Sequence, residues 1–291
     1  MEPYLFLFGI GIAWLVFATV QDLKTREVAN WLTFSLIFIT LAYRGFISFF
    51  SGVWGIFLWG IIGCAAFVGC AYIFYYGRVF AGGDAKLLMG LGIALPYQSG
   101  SELLLWGSIF LFALFFGGAI YTLVYSIWLV ISHWQEFKKK FKVEIWNQKW
   151  LIVFAVIMAL VLFITLRETS MVSFMGIVLI LIIPFLYIYL QAVEQACMIS
   201  LISPKKLREG DWMLRPIKVA GRTIHVSVHG LSLEDIALLR KNHKSVFIKQ
   251  GVPFVPAFLL AYSLMVFFFL TEGLDSFQLS SILSSLVLVF S

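Results

Sequence analysis

Residues 53–76 read VWGIFLWGIIGCAAFVGCAYIFYY, a stretch without a single charged side chain. About 20 mostly apolar residues are enough for an α-helix to cross the hydrocarbon core of a membrane. The stretch therefore predicts a transmembrane helix. The rest of the chain has the same character, since 62% of its 291 residues are hydrophobic and only 12% are charged. This composition excludes an ordinary water-soluble domain, which needs more polar residues to cover its surface.

Similar apolar runs continue along the chain and predict eight spans, or nine with a weaker last candidate. The fourth run is short and follows a glycine pair, so we expect a helix that begins below the membrane surface or is tilted. The first run lacks a small-residue cleavage site and is interpreted as an uncleaved span. The runs are 4–20, 31–50, 53–76, 85–97, 103–131, 150–166, 172–196 and 252–270, with the weaker one at 277–290.

The basic residues indicate the orientation of these spans, because short cytoplasmic loops retain Lys and Arg. All but Arg44 and Arg167 of the 21 Lys and Arg residues fall on one predicted face, and these two are assigned to the other. The N-terminus is therefore predicted to lie outside a cell (plasma) membrane. The net charge of +6 suits an anionic inner leaflet and needs no nucleic acid to explain it.

Three regions are predicted along the chain. The transmembrane core covers residues 1–196 and includes a basic cytoplasmic loop at 132–149, and residues 252–291 form the C-terminal transmembrane region. Residues 197–251 are polar enough to fold in water as a small cytoplasmic domain. The predicted fold class is an all-α multi-pass transmembrane protein with this small α+β domain attached.

Local patterns predict a hairpin and a helix inside the small domain. The segment IKVAGRTIHVSV alternates around Ala220 and Gly221 in the manner of a hairpin. In the following GLSLEDIALLRK, Ser232 is placed to cap the start of a helix. His225 and His229 share a face of an apparent strand, but two histidines with no further ligand do not predict a metal site, and neither a metal nor a cofactor is predicted.

Two aspartates lie where predicted spans meet the cytoplasm. Asp22 follows the first span in VQDLKTREVANW, and Asp84 follows the third in FAGGDAKLLMG. Taken alone, Asp22 is explained as a solvated charge at a helix end, and Asp84 as a helix cap. Their common face and the lysine two residues after each, Lys24 and Lys86, favour a shared site. Charges at membrane depth are costly and tend to be functional.

Paired carboxyl groups at a wet membrane boundary suit peptide hydrolysis. Two close carboxyl groups share one proton, because both cannot ionise cheaply. The ionised member takes a proton from water, while the protonated member polarises the scissile carbonyl. The proton belongs to the pair, so the sequence alone assigns neither role.

Three motifs resemble the prepilin peptidase family of GxGD-type intramembrane aspartic peptidases, and in particular its archaeal branch, which processes preflagellins and type IV pilin-like precursors. They are D-L-K-x-R-x-V-x-N-W from Asp22, G-G-D-A-K from Gly82 and P-F-V-P-A-F from Pro253. The likeness covers about 4–96 and 205–262. It implies that Asp22 and Asp84 are catalytic and that the motif residues around them support the site: Lys24, Gly82, Gly83 and Lys86.

The sequence departs from the family pattern at several points. Ala81 stands where the family has the first glycine of G-x-G-D, and Ala29 replaces a proline before Asn30. Eight or nine spans exceed the family's usual six or so. The paired C-x-x-C motifs of many bacterial members are absent, so the resemblance implies a peptidase without N-methyltransferase activity.

The resemblance also implies the partners. The substrates are pilin-like or flagellin-like precursors with a short basic leader before an apolar helix, cleaved on the cytoplasmic side. Glu27 is the nearest acidic candidate for binding the leader, or it pairs with Lys24 on the surface. Lys24 and Lys86 either hold the carboxylates ionised or contact membrane lipid phosphates.

Two other classes of function stay open. One is a membrane transporter or channel that binds cations at Asp22 and Asp84, although no inverted repeat is recognisable. The other is an inert assembly protein in which both aspartates only cap helices.

Overall fold

The computed structural model describes residues 2–165, 171–227 and 230–276. These residues are mostly helical, as the composition predicts, and include a small amount of sheet. The helices are α1 (Glu2–Thr25), α2 (Asn30–Ser51), α3 (Gly55–Tyr76), α4 (Gly82–Ala94), α5 (Gly100–Ser132), α6 (Trp134–Asn147), α7 (Lys149–Thr165), α8 (Met171–Val193), α9 (Leu233–Lys241) and α10 (Val255–Ser276). A π-helix follows α8 at Glu194–Met198. The strands are β1 (Ile199–Ile202), β2 (Trp212–Met213), β3 (Ile217–Val219), β4 (Arg222–Ile224) and β5 (Val246–Lys249).

The multi-pass architecture is confirmed, but the predicted count of eight or nine spans is not. Within the described residues, five helical segments are long and apolar enough to cross a membrane: Tyr4–Thr25, Asn30–Ser51, Gly55–Tyr76, Gly100–Ser132 and Ser173–Met198. The pair α6 and α7, bent by 61°, adds a sixth if it is one broken span. The runs 85–97 and 150–166 form the helices α4 and α7, whose 13 and 17 residues are too few to cross the hydrocarbon core alone. In α10, the apolar stretch Val255–Thr271 is also shorter than the segments counted as spans. The run 277–290 lies outside the described residues.

One compact unit contains α1 to α4, most of α5 and α10. The short helix α4 is its centre and packs against α1, α2 and α3, with Leu88 and Leu91 fully buried. Thirteen residues make α4 about 20 Å long, which confirms that the fourth apolar run forms a short helix. The aromatic ring of Phe269 in α10 packs 5.7 Å from that of Tyr4 and 5.1 Å from that of Phe8, and so joins α10 to α1.

The other compact unit comprises Leu123–Gly251 and contains an antiparallel sheet in the order β1-β5-β2. The predicted hairpin is confirmed as β3 paired with β4. Its turn residues Ala220 (φ 48) and Gly221 (φ 79) are both left-handed, which fits the twist of a two-residue hairpin turn. The predicted cap is confirmed too, since Ser232 Oγ accepts a hydrogen bond from the N–H of Asp235 at 3.2 Å.

The two histidines that were expected to share a face of a strand do not both lie in one. Strand β4 ends at Ile224, so His225 follows the strand instead of lying in it, and His229 lies outside the described residues. The predicted domain boundaries at 196 and 251 stay predictions.

Candidate active site

Asp22 lies in the last turn of α1 and is buried, with 6% of its surface exposed. Its Oδ2 accepts a hydrogen bond of 3.0 Å from the backbone N–H of Val255, the first residue of α10. The first N–H groups of a helix have no intrahelical partner and carry partial positive charge, so they stabilise an anion. Asp22 is therefore not the solvated charge of the simpler interpretation: its carboxylate binds the N-terminus of α10.

Asp84 is the third residue of α4 and is partly buried. The helix cap is Ala81, whose backbone N–H interacts with the Asp84 carboxylate from the preceding turn. This is one half of a capping box. Asp84 thus does stabilise the start of α4, although from inside the helix and not from the cap position.

The two aspartates are close enough for their charges to interact. Burial, followed by the negative charge of Asp22, raises the pKa of the Asp84 carboxyl to about 7, although the N–H of Ala81 acts in the opposite direction. A like charge nearby and removal from water both disfavour a second anion. The structure therefore brings together the two residues that the sequence singles out, in an arrangement that suits one anion and one neutral acid. Their catalytic role stays a prediction.

Of the residues around the aspartates, one links the starts of two neighbouring helices. Lys86 is exposed, and its Nζ donates to Asn30 Oδ1 at 2.7 Å, which ties α4 to the start of α2. Lys24 is exposed at the end of α1. A side chain added at Gly82 or Gly83 would meet its nearest neighbour at 3.8 or 3.7 Å, an ordinary contact. Packing alone therefore does not require either glycine, which leaves close approach of a substrate as the prediction for them.

The two departures from the family pattern are compatible with the local backbone. Ala81 has φ −71 and ψ 164, an extended conformation that does not need glycine. Ala29 has φ −65, the value that proline would impose, and precedes the first residue of α2. Its N–H also donates to Gln21 Oε1 at 3.2 Å, a bond that proline is unable to make.

Arg44, which the sequence assigns to the face opposite the aspartates, is completely buried within α2. The assignment to that face stays a prediction, and its burial is a finding that the sequence did not predict. Its guanidinium donates to the carbonyl oxygens of Ile93 at 2.8 Å and Ile56 at 2.9 Å, and also to that of Leu95. The sequence does contain a signal for this burial, because Arg44 lies inside an apolar run and not at its end. A charge inside such a run needs a dedicated set of partners.

The described residues contain no group of three or more His, Cys, Asp or Glu side chains that could hold a metal ion. Glu27 lies exposed just beyond the end of α1, on the same connection as Lys24. The three cysteines are all partly buried thiols without disulfides.

A protein family and two curated proteins are similar to parts of this chain. Residues 9–127 match the model of the Type IV leader peptidase family. The preflagellin peptidase of Methanocaldococcus jannaschii is 33% identical over 91 residues, which cover 31% of this chain and 38% of that protein. The preflagellin peptidase of Methanococcus voltae is 32% identical over 136 residues, which cover 43% of this chain and 57% of that protein. No solved structure matches this chain.

These matches confirm the resemblance that the motifs indicate, including its archaeal preflagellin branch. The matched region contains Asp22, Arg44 and Asp84 but not the Pro253 motif. The chain spans 38% and 57% of the lengths of the two curated relatives that it matches.

Proposed function

We propose, from the match of residues 9–127 to the Type IV leader peptidase family, that this chain is an aspartic-type membrane endopeptidase. It removes the leader, or class III signal peptide, from preflagellin-like or type IV prepilin-like precursors. The supporting observation is the electrostatic coupling of Asp22 and Asp84 at neighbouring helix ends inside the matched region. The names of the two archaeal relatives support this class of substrate.

The surroundings of the two carboxyl groups favour different roles for them. Asp22 is the better stabilised anion, because it receives the Val255 N–H at the N-terminus of α10. Asp84 carries the shared proton, since burial and the neighbouring charge raise its pKa to about 7. Asp22 takes a proton from a water molecule, whose oxygen attacks the scissile carbonyl carbon, while Asp84 gives its proton to the carbonyl oxygen.

The tetrahedral intermediate then breaks down without a metal. The proton held by Asp22 passes to the leaving amide nitrogen, the C–N bond breaks, and a hydroxyl proton of the intermediate returns to Asp84. Each carboxyl group ends in its starting state, so the cycle balances. Gly82 and Gly83 leave room for an extended substrate backbone beside Asp84, and Lys24 and Lys86 flank the site from its exposed side.

The position of the site in the membrane completes the proposal. The N-terminus is outside, so α1 ends and α4 begins at the cytoplasmic boundary, where a precursor's leader meets its apolar helix. Glu27 is placed to attract a basic leader. Helices α4, α7 and α10 also enter the membrane and bring the number of such segments to eight, and residues 197–251 form the cytoplasmic domain. Since C-x-x-C pairs are absent from the sequence, the activity is proteolysis without N-methylation.

The test uses the purified full chain in lipid vesicles together with a precursor that carries a basic leader before an apolar helix. Mass spectrometry follows release of the leader, and a dye inside the vesicles follows entry of Na⁺ or H⁺. We expect release by the wild type and none by an Asp22→Asn/Asp84→Asn double variant. A Glu209→Gln/Glu234→Gln variant removes the same charge from exposed positions and is expected to stay active.

Cation entry that depends on both aspartates, with an intact precursor, would replace the peptidase by a transporter. Release of the leader by the double variant would exclude the two-carboxyl mechanism.

A further inference from the structure

Helix α6 differs from the helices on either side of it. Its sequence, WQEFKKKFKVEIWN, is polar, whereas α5 and α7 are apolar. A single residue separates α5 from α6, and another separates α6 from α7, with a bend of 61° between the last two. Because both neighbours are suited to hydrocarbon, a polar helix joined to them so tightly lies at the membrane surface.

One face of α6 is covered by protein. Phe137 is 6% exposed, and its ring centroid lies 5.7 Å from that of Tyr189 in α8. Glu144 is equally buried and accepts a hydrogen bond of 2.6 Å from Gln195 Nε2 in the π-helix. These contacts fix which face of α6 points away from the protein.

The uncovered side of α6 and the first residue of α7 carry what we call the basic-aromatic stripe: Trp134, Lys138, Lys142 and Trp146 in α6, and Lys149 in α7. The first four recur at intervals of four residues, so they follow one side of the helix. Lys138 Nζ lies 4.8 Å from the ring centroid of Trp134, and Lys149 Nζ lies 4.3 Å from that of Trp146. All five side chains are exposed.

The charges of this stripe are unneutralised by protein. Among the described residues, no carboxylate lies within ion-pair distance of its three lysines. On α6 itself, Glu144 is engaged by Gln195, and Glu136 lies on the far side of the helix from Lys138, two residues away at about 100° per residue. The stripe therefore offers three ammonium groups without a carboxylate partner, and two of them lie beside indole rings.

We propose that the basic-aromatic stripe binds the headgroups of anionic phospholipids in the leaflet beside α6. Lysine ammonium groups pair with lipid phosphates, and tryptophan rings favour the level of the headgroups. A basic precursor leader has the wrong charge for this surface. Nucleic acid fits less well, because the apolar helices at both ends of α6 hold it against a bilayer. This inference is independent of the proposed peptidase activity.

The experiment measures how tightly the full chain, in a neutral detergent, binds each of two soluble short-chain lipids. The lipids are dioctanoyl phosphatidylglycerol and dioctanoyl phosphatidylcholine. Thermophoresis gives a Kd for each. A basic residue near an anionic surface contributes on the order of fivefold in affinity. We therefore expect the wild type to prefer phosphatidylglycerol by roughly tenfold or more, and a Lys138→Gln/Lys142→Gln/Lys149→Gln variant to lose that preference.

Two matched variants separate the stripe from net charge and from misfolding. A Lys205→Gln/Lys218→Gln/Lys244→Gln variant loses the same charge at exposed positions elsewhere and keeps the preference. A Lys138→Arg/Lys142→Arg/Lys149→Arg variant keeps the preference as well. Salt at about 1 M shortens the screening length to roughly 3 Å and should therefore weaken the preference for phosphatidylglycerol.

Any of three results would overturn the inference. The first is that the Lys138→Gln/Lys142→Gln/Lys149→Gln variant retains the preference, and the second is that the Lys205→Gln/Lys218→Gln/Lys244→Gln variant loses it equally. The third is that inorganic phosphate at the same concentration displaces phosphatidylglycerol. The last result would assign the lysines to a free anion instead of a lipid headgroup.

Discussion

Arg44 binds the carbonyl groups at the C-terminal end of α4, the end away from Asp84. Replacing it by methionine tests how much these bonds stabilise the protein. The guanidinium is fully buried, and two of the carbonyl oxygens that it binds, those of Ile93 and Leu95, belong to the C-terminal end of α4. The last carbonyls of a helix lack intrahelical partners and carry partial negative charge. A buried cation at this position donates hydrogen bonds to these carbonyl groups in place of water.

The expected magnitude follows from the bonds lost in Arg44→Met. The carbonyl oxygens of Ile56, Ile93 and Leu95 would lose their donors, and each buried carbonyl left without a partner costs about 1–3 kcal/mol. The loss is partly offset, because a buried charge no longer has to be desolvated. We expect a net loss of about 3 kcal/mol in the free energy of unfolding. Arg44→Lys keeps the charge but not the planar fork of donors and is expected to lose less.

The assay is thermal unfolding in detergent, followed by circular dichroism at a fixed heating rate. A loss of 1 kcal/mol lowers the Tm of a protein of this size class by about 2–4 °C, so we expect Arg44→Met to lower it by roughly 6–12 °C. Arg222→Met is the matched control, because Arg222 is exposed on the hairpin and should change stability by less than about 0.5 kcal/mol. Equal melting of the two variants would refute the role given to Arg44.

Two further predictions concern Asp84 and the packing of α4. The pKa of Asp84 is raised to about 7, so the carboxyl group is protonated below that pH and loses its proton above it. A general acid must be protonated, so kcat/KM for leader release should fall by about tenfold per pH unit above pH 7, and a flat profile from pH 6 to 9 would contradict this assignment. Gly92→Ala should destabilise the protein by about 1–3 kcal/mol, because the new Cβ would lie 2.5 Å from Phe67 Cβ and 3.0 Å from the Gly63 carbonyl oxygen. Its control is Gly69→Ala in α3, where no atom lies within 4 Å of the new Cβ, so a thermal midpoint equal to that of Gly92→Ala would show that α3 and α4 are not closely packed.

Features that depend on neighbours in the sequence were predictable. The alternation around Ala220 and Gly221 gives the hairpin, and the Ser232 hydroxyl followed by Asp235 gives the capped helix α9. The short length of α4 was visible in its apolar run. The hairpin and the cap each join residues a few positions apart, and the length of α4 follows from the length of its apolar run. Each of these features is therefore determined by a short stretch of sequence.

Features that depend on distant pairs were not predictable. The bond between Asp22 and Val255 joins residues 233 positions apart, and no local pattern links a carboxylate at the end of one helix to the start of another. The partners of Arg44 were not predictable either, because its guanidinium binds the carbonyl oxygen of Ile93, 49 positions away in the sequence. The number of spans was not confirmed because short apolar runs look like spans until their helices are measured.

The central claim is that Asp22 and Asp84 are both required, each in its own role, for cleavage of the leader. The most direct measurement is the single-turnover rate of leader release by Asp22→Asn and by Asp84→Asn, prepared separately in the same membranes as Asp211→Asn. We predict at least a hundredfold loss for each of the first two, with normal insertion, and a rate close to that of the wild type for Asp211→Asn. Near-normal cleavage by either site variant would contradict the account.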